Sequence, residues 1–107
     1  MKEIKWFSDP WFEAIKEKRV SWQKHALQRM LERNIHRLEI MDVIKNGEVI
    51  EHYPEDRPFP SALFFKSVEE KPLHVVASFD EIDKLIYIIT VYIPDSRRFE
   101  EDFKTRK

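Results

Sequence analysis

The chain has no cysteine and a single glycine among its 107 residues. Without cysteine there can be no disulfide and no thiolate zinc site. One glycine is too few for the Gly-rich phosphate loops of Rossmann or P-loop proteins. No apolar run approaches the roughly 20 residues of a membrane span. The N-terminus alternates charge with aromatics and lacks an apolar h-region, so no signal peptide is expected. A soluble cytoplasmic protein without a membrane partner is the expectation. Neither sign of charge dominates, since 19 Lys+Arg and 20 Asp+Glu leave a net −1. A general nucleic-acid binder is usually basic overall, so that class is disfavoured, while a local basic site stays open. What the chain does have is 42% hydrophobic and 13% aromatic residues. That suits one domain over 1–107, long enough for a core without staples.

The stretch from Ser21 to Ile35 organises the rest. Trp22, Ala26, Leu27, Met30 and Leu31 recur at helical spacing, about 100° per residue. Lys24, Gln28 and Glu32 fall on the opposite half. His25, Arg29 and Arg33 follow at i, i+4 and i+8 and form one line along the border of the two halves. Long side chains at such borders commonly snorkel to water and need no further role. The same line also offers an imidazole to move a proton and two guanidiniums to hold a phosphate.

Before that stretch, residues 1–20 read as an arm carrying Ile4, Trp6 and Phe7, then a short helix from Pro10 to about Lys18 capped by Asp9. Arg19 and Val20 are expected to be extended. Ser21 is expected to cap the organising helix, and Asn34 to end it in the left-handed conformation. A second amphipathic helix is expected over His36 to Lys45, with Leu38, Ile40, Met41, Val43 and Ile44 inward and Asn46-Gly47 ending it. Two helices joined by a tight corner could be a DNA reader. The second, however, has only Arg37 and Lys45 as basic residues and also carries Glu39 and Asp42.

After Gly47 the period changes from helix to strand. Strands are expected over 48–53, 62–68, 73–79 and 85–93, with a proline-rich loop from Pro54 to Pro60. Short connections imply an antiparallel meander. Ser96 to Lys104 reads as a short polar helix or tail anchored by Phe99 and Phe103. The fold class is therefore α+β: two or three N-terminal helices on a four-stranded antiparallel sheet, with a short C-terminal helix.

If the turn Asp80 to Lys84 leaves Phe79 opposite Leu85, His74 comes across from Thr90, with Tyr92 a diagonal neighbour. A one-residue slip would break this cluster. The organising helix has the apolar surface to cover the sheet, which could bring His74, Thr90 and Tyr92 towards the His25–Arg29–Arg33 line. A buried His in a core, and Thr or Tyr in strands, are also ordinary. Other candidates are weaker. His36 and His52 lack partners at metal-ligand spacing, and neither Ser21 nor Ser61 stands in a recognisable triad. Neither metal nor cofactor is expected.

His25-Ala26-x-x-Arg29-Met30-x-x-Arg33-x-Ile35, Gly47-Glu48-x-Ile50-x-x-Tyr53-Pro54, Pro72-Leu73-His74-Val75-Val76 and Ile89-Thr90-x-Tyr92-x-Pro94-Asp95 together resemble a bacterial and archaeal domain family of unknown function. Its mark is the His-Ala-x-x-Arg-Met signature, and the resemblance runs over 21–106. Members are often encoded beside a zinc-finger antitoxin of the YgiT type. They are similar to the RelE, barnase, EndoU and colicin nucleases, which place helices before a four-stranded antiparallel sheet and cleave RNA without a metal. The resemblance implies functional positions at His25, Arg29, Arg33, His74, Thr90 and Tyr92.

The expected function is thus a metal-independent endoribonuclease, the toxin of a type II toxin–antitoxin pair, acting on RNA that is free or on the ribosome. His25 and His74 would be base and acid in either order. Arg29 would clamp the phosphate with Arg33 assisting, and Tyr92 and Thr90 would orient it or share proton transfer. The alternative is a non-catalytic module binding a partner protein or a small anionic ligand. For that reading, Trp6, Phe7, Trp11 and Phe12 would be an exposed surface suited to a partner helix or a homodimer. A bare structural subunit is the third reading.

Overall fold

The computed structural model describes residues 5–107, so Ile4 of the expected apolar arm lies outside the described residues. Helix α1 (Asp9–Lys16) follows Ser8, with Pro10 in the first turn, where a missing N–H costs nothing. It buries Trp11, Ala14 and Ile15. Strand β1 (Val20–Trp22) comes next, then α2 (Lys24–Arg33) and α3 (Arg37–Asn46). Four more strands complete the order: β2 (Glu48–Tyr53), β3 (Ser61–Val68), β4 (Lys71–Asp80) and β5 (Leu85–Tyr92).

The sheet has five strands in the order β1-β5-β4-β3-β2. β2 to β5 form the expected antiparallel meander. β1 runs parallel to β5 and makes the sheet mixed, which corrects the expectation of four antiparallel strands. The organising helix accordingly begins at Lys24, with Gln23 rather than Ser21 in the cap position. Ser21 pairs with Tyr87 and Trp22 with Ile88, and the Gln23 N–H donates to the Ile88 carbonyl at 3.2 Å. The edge of β5 would otherwise leave a row of backbone groups unpaired, and Val20 and Trp22 suit a strand. Asn34 ends α2 in the left-handed region at φ 53°, as its side chain allows.

Helices cover one face of the sheet. There Trp11 stacks on Phe64 at 5.2 Å, meets Phe79 edge-on, and donates its indole N–H to the Ile44 carbonyl at 2.9 Å. Ile40, Val43 and Ile44 of α3 are buried against this layer. Gly47 lets α3 run straight into β2. A Cβ there would stand 2.5 Å from the carbonyl oxygens of both Phe65 and Val43. Trp6, Phe7 and Phe12 pack against the same core and Trp11 is fully buried, so the expected exposed aromatic surface is not present. Among the described residues the most outward apolar side chains are instead Ile82 in the β4–β5 turn, Leu31, expected in the apolar arc of α2, and Leu38, expected inward on α3.

The other face of the sheet carries Phe65, His74 and Tyr92 and is covered by the C-terminal segment. That segment is not the expected helix. The Asp102 carboxylate accepts from the Lys104 and Thr105 N–H groups at 2.9 and 3.0 Å, and Asp95 accepts from the Arg97 N–H at 2.8 Å. These local bonds compete with helical ones. Phe99 and Arg106 form an isolated bridge instead, and Phe99 is buried with its ring 4.7 Å from that of His74.

The β4–β5 register also differs from expectation. Asp80, not Phe79, stands opposite Leu85, because the Asp80 carboxylate ties the turn by accepting from the Ile82 and Asp83 N–H groups at 3.0 and 3.2 Å. This slip alone would turn Thr90 and Tyr92 away from the face of His74. A bulge at Ile89 adds a second residue of shift and so turns both side chains back to that face, since Ala77 pairs with Ile88 but Val76 with Thr90. His74 therefore faces Tyr92 directly rather than Thr90.

Candidate active site

Ala26 and Met30 are the buried residues of α2, and they set its rotation as it packs on β5. With those two inward, His25, Arg29 and Arg33 run along the flank of the helix. β1 pairs with β5 only as far as Ile88, so Thr90 and Tyr92 emerge beyond it. The C-terminal segment then returns across the end of β5. Together these elements enclose a cavity of about 540 Å³. α2 supplies His25, Arg29 and Arg33, and β5 with its exit supplies Thr90, Tyr92 and Ile93. The C-terminal segment supplies Asp95, Arg98, Phe99 and Arg106.

Five of the six sequence-derived positions therefore line one cavity. The sixth, His74, does not. It is fully buried behind Tyr92 and Phe99. Its Nε2 lies 2.6 Å from the Phe103 carbonyl oxygen and its Nδ1 lies 3.2 Å from the Tyr92 hydroxyl. A carbonyl can only accept, so Nε2 carries the hydrogen. Burial holds the His74 pKa below the ordinary imidazole value, although the Phe103 carbonyl and Glu51 work the other way. The ring is neutral, and its bare Nδ1 accepts the Tyr92 proton. Burial likewise pushes the Tyr92 phenol up, which keeps that proton in place.

Four guanidiniums border the cavity, and they are held differently. Arg29 donates to Glu32 at 2.9 Å, with both side chains 42% exposed. Such a pair is weak, on the order of 0–1 kcal/mol, and yields readily to a better anion. Arg33 and Arg98 make no ion pair among the described residues. Arg106 is fixed. It holds Glu51 through Nε and Nη2 at 2.5 and 3.1 Å and lies 4.9 Å from the centre of the Phe99 ring. Glu51 also accepts from the Tyr53 hydroxyl at 2.5 Å, and burial together with that carboxylate pushes the Tyr53 phenol up to about 12. The acid in the wall, Asp95, is already occupied. The Arg97 N–H first, and then its guanidinium at 3.1 Å, hold Asp95 below the usual carboxylate range.

The chemistry on offer is an anion site with an exposed imidazole and a phenol that is hydrogen-bonded from behind. Among the described residues no group of three or more His, Asp or Glu side chains could hold a metal ion. No helix there is long and apolar enough to cross a membrane. Reading the sequence missed Asp95, Arg98 and Arg106. The signal available was a pair of basic residues, Arg97-Arg98, straight after the last strand, beside an aromatic anchor at Phe99.

A family model described as a domain of unknown function, DUF4258, matches residues 22–93. It spans α2 to β5 and leaves out the C-terminal segment that contributes Arg98 and Arg106. No curated protein and no solved structure matches the chain.

Proposed function

The chain belongs to the DUF4258 family, and on that footing we propose that it is a metal-independent endoribonuclease, the toxin of a type II toxin–antitoxin pair. One observation carries the reading. Four arginines, an exposed histidine, a threonine and a tyrosine line one cavity in a chain whose net charge is −1. Balanced charge elsewhere makes this concentration of donors a local site rather than a general basic surface.

RNA carries its own nucleophile, the 2′-hydroxyl. Its attack on the adjacent phosphorus forms a 2′,3′-cyclic phosphate and expels the 5′-oxygen. The reaction needs a base, an acid and positive charge on the phosphorane. Arg29 and Arg33 hold the phosphate oxygens, with Arg98 opposite, and Thr90 orients them. His25, exposed and within the cavity wall, exchanges a proton with the reacting oxygens. The test is cleavage of a generic RNA by the purified protein in EDTA, read for cyclic phosphate ends. A translating system serves if the substrate is ribosome-bound. His25→Ala should slow cleavage about 10²–10⁴-fold and Arg29→Ala about 10²–10³-fold. Both side chains lie outside the core, so thermal melts should not change. Full activity in both variants would sink the reading.

The resemblance to nucleases encoded beside a zinc-finger antitoxin supports a protein partner. A groove of about 710 Å³ suits it. Its lining includes the apolar Val20, Trp22, Leu38 and Met41, and the charged residues around it are Lys16, Lys18, Arg37 and Lys45 against one acid, Asp42, which is paired with Lys66. An acidic amphipathic segment is complementary to it. The same groove favours the second reading, a binding module without catalysis. Under that reading His25→Ala, which lies outside this groove, abolishes no reaction.

A further inference from the structure

We propose that His74, although walled off from the cavity, takes the proton of the attacking hydroxyl through Tyr92. This rests on the ribonuclease reading and assigns the proton path within it. The geometry is a chain of three groups across the β4–β5 pair: cavity, Tyr92 hydroxyl, His74 Nδ1, with the Phe103 carbonyl behind Nε2. Tyr92 has one hydroxyl hydrogen, and it is committed to Nδ1. Towards the cavity its oxygen therefore offers only lone pairs. A 2′-hydroxyl placed there can donate to Tyr92 and cannot accept from it, which is the orientation a base requires.

The protons balance as follows. The 2′-O–H bond breaks and its hydrogen passes to the Tyr92 oxygen, while the Tyr92 hydrogen passes to Nδ1. The 2′-oxygen–phosphorus bond forms, the phosphorus–5′-oxygen bond breaks, and the leaving oxygen takes a proton from His25. The products are a 2′,3′-cyclic phosphate, a free 5′-hydroxyl, a His74 imidazolium and a neutral His25. Exchange with water restores both. Because the two shifts are concerted, no free phenolate accumulates, so the raised pKa of Tyr92 is no obstacle. The imidazolium is met by the Phe103 carbonyl at 2.6 Å and by the negative charge of Glu51. His74 is thus a positioning residue for Tyr92, and His25 is left as the acid.

The groups facing His74 are Tyr92 on β5, Glu51 on β2 with its partner Tyr53, and Arg106 on the C-terminal segment. Phe65 and Phe99 complete the shell and do not titrate. The Glu51 carboxylate favours protonation of the ring, but burial opposes it more strongly, so the His74 pKa stays below the ordinary imidazole value. Two measurements test the relay. Long-range ¹⁵N–¹H correlation on the wild-type protein at neutral pH should find His74 protonated at Nε2 alone. A hydrogen on Nδ1 would overturn the relay without any variant. RNA cleavage followed against pH should show an acid limb in the wild type that is lost in His74→Gln. Tyr92→Phe should slow cleavage on the order of 10²-fold, and the double variant should be no slower than the slower single one. A His74→Gln enzyme with the wild-type pH profile, or losses that multiply, overturns the relay while leaving the ribonuclease standing. A wild type that cuts no RNA overturns both. Should His74→Gln not fold, the tautomer and the Tyr92→Phe profile still decide.

Discussion

At the scale of single residues, Trp11 and His25 show opposite ends of what side chains contribute. Trp11 is fully buried, stacked on Phe64 and bonded to the Ile44 carbonyl. Trp11→Ala should therefore cost about 3–5 kcal/mol, a large part of the roughly 5–15 kcal/mol that holds a domain folded. Urea denaturation checks this, and a loss below about 1 kcal/mol would contradict the packing described. His25 carries no such burden, which is why its replacement can report on chemistry. The line His25, Arg29, Arg33 was legible because helical spacing alone sets which side chains share a flank. His74 was legible as a partner of Tyr92 but not as a residue outside the cavity. Its place depends on the Asp80 turn and the Ile89 bulge, which each shift the register by one residue and together return Thr90 and Tyr92 to the face of His74. No local pattern announces that bulge, because Ile88 and Ile89 are equally good strand residues.

At the scale of elements, α3 is joined to the sheet by Glu39. Burial opposes its charge, but the His36 N–H at 2.9 Å and the Lys71 ammonium at 2.9 Å prevail and lower its pKa below the usual glutamate value. A lowered carboxyl pKa means stability that is fully present above the unfolded value, near 4.5, and is lost as pH falls through the folded value. Glu39→Gln should destabilise the protein at pH 7 by about 0.5–1 kcal/mol. The gap should close on acidification, read from urea midpoints at pH 7 and pH 3. A constant gap would show that the charge is not what matters. The switch of period at Gly47 made the helical and sheet halves legible. β1 was not, since three residues are too few for a pattern and its pairing is with a strand more than sixty residues later. The C-terminal segment was misread because Phe99 and Phe103 fit a helix as well as a bridge. The Asp102 and Asp95 side chains decide between them by capturing backbone N–H groups.

At the scale of the whole molecule, the net charge of −1 and the four arginines of one cavity are compatible because acids and bases neutralise each other elsewhere. Composition alone reads this chain as indifferent to nucleic acid. Arg98 and Arg106 come from the far end of the sequence to join α2, and only folding brings the local charge into being. The central claim is that this site cuts RNA using the substrate's own 2′-hydroxyl. The most direct measurement compares a short oligoribonucleotide with its all-2′-deoxy counterpart, both incubated with the protein in EDTA. The ribose strand should be cut to 2′,3′-cyclic phosphate ends and the deoxy strand should survive intact. Equal cutting of the two strands, or no cutting of the ribose strand either free or on the ribosome, would contradict the account.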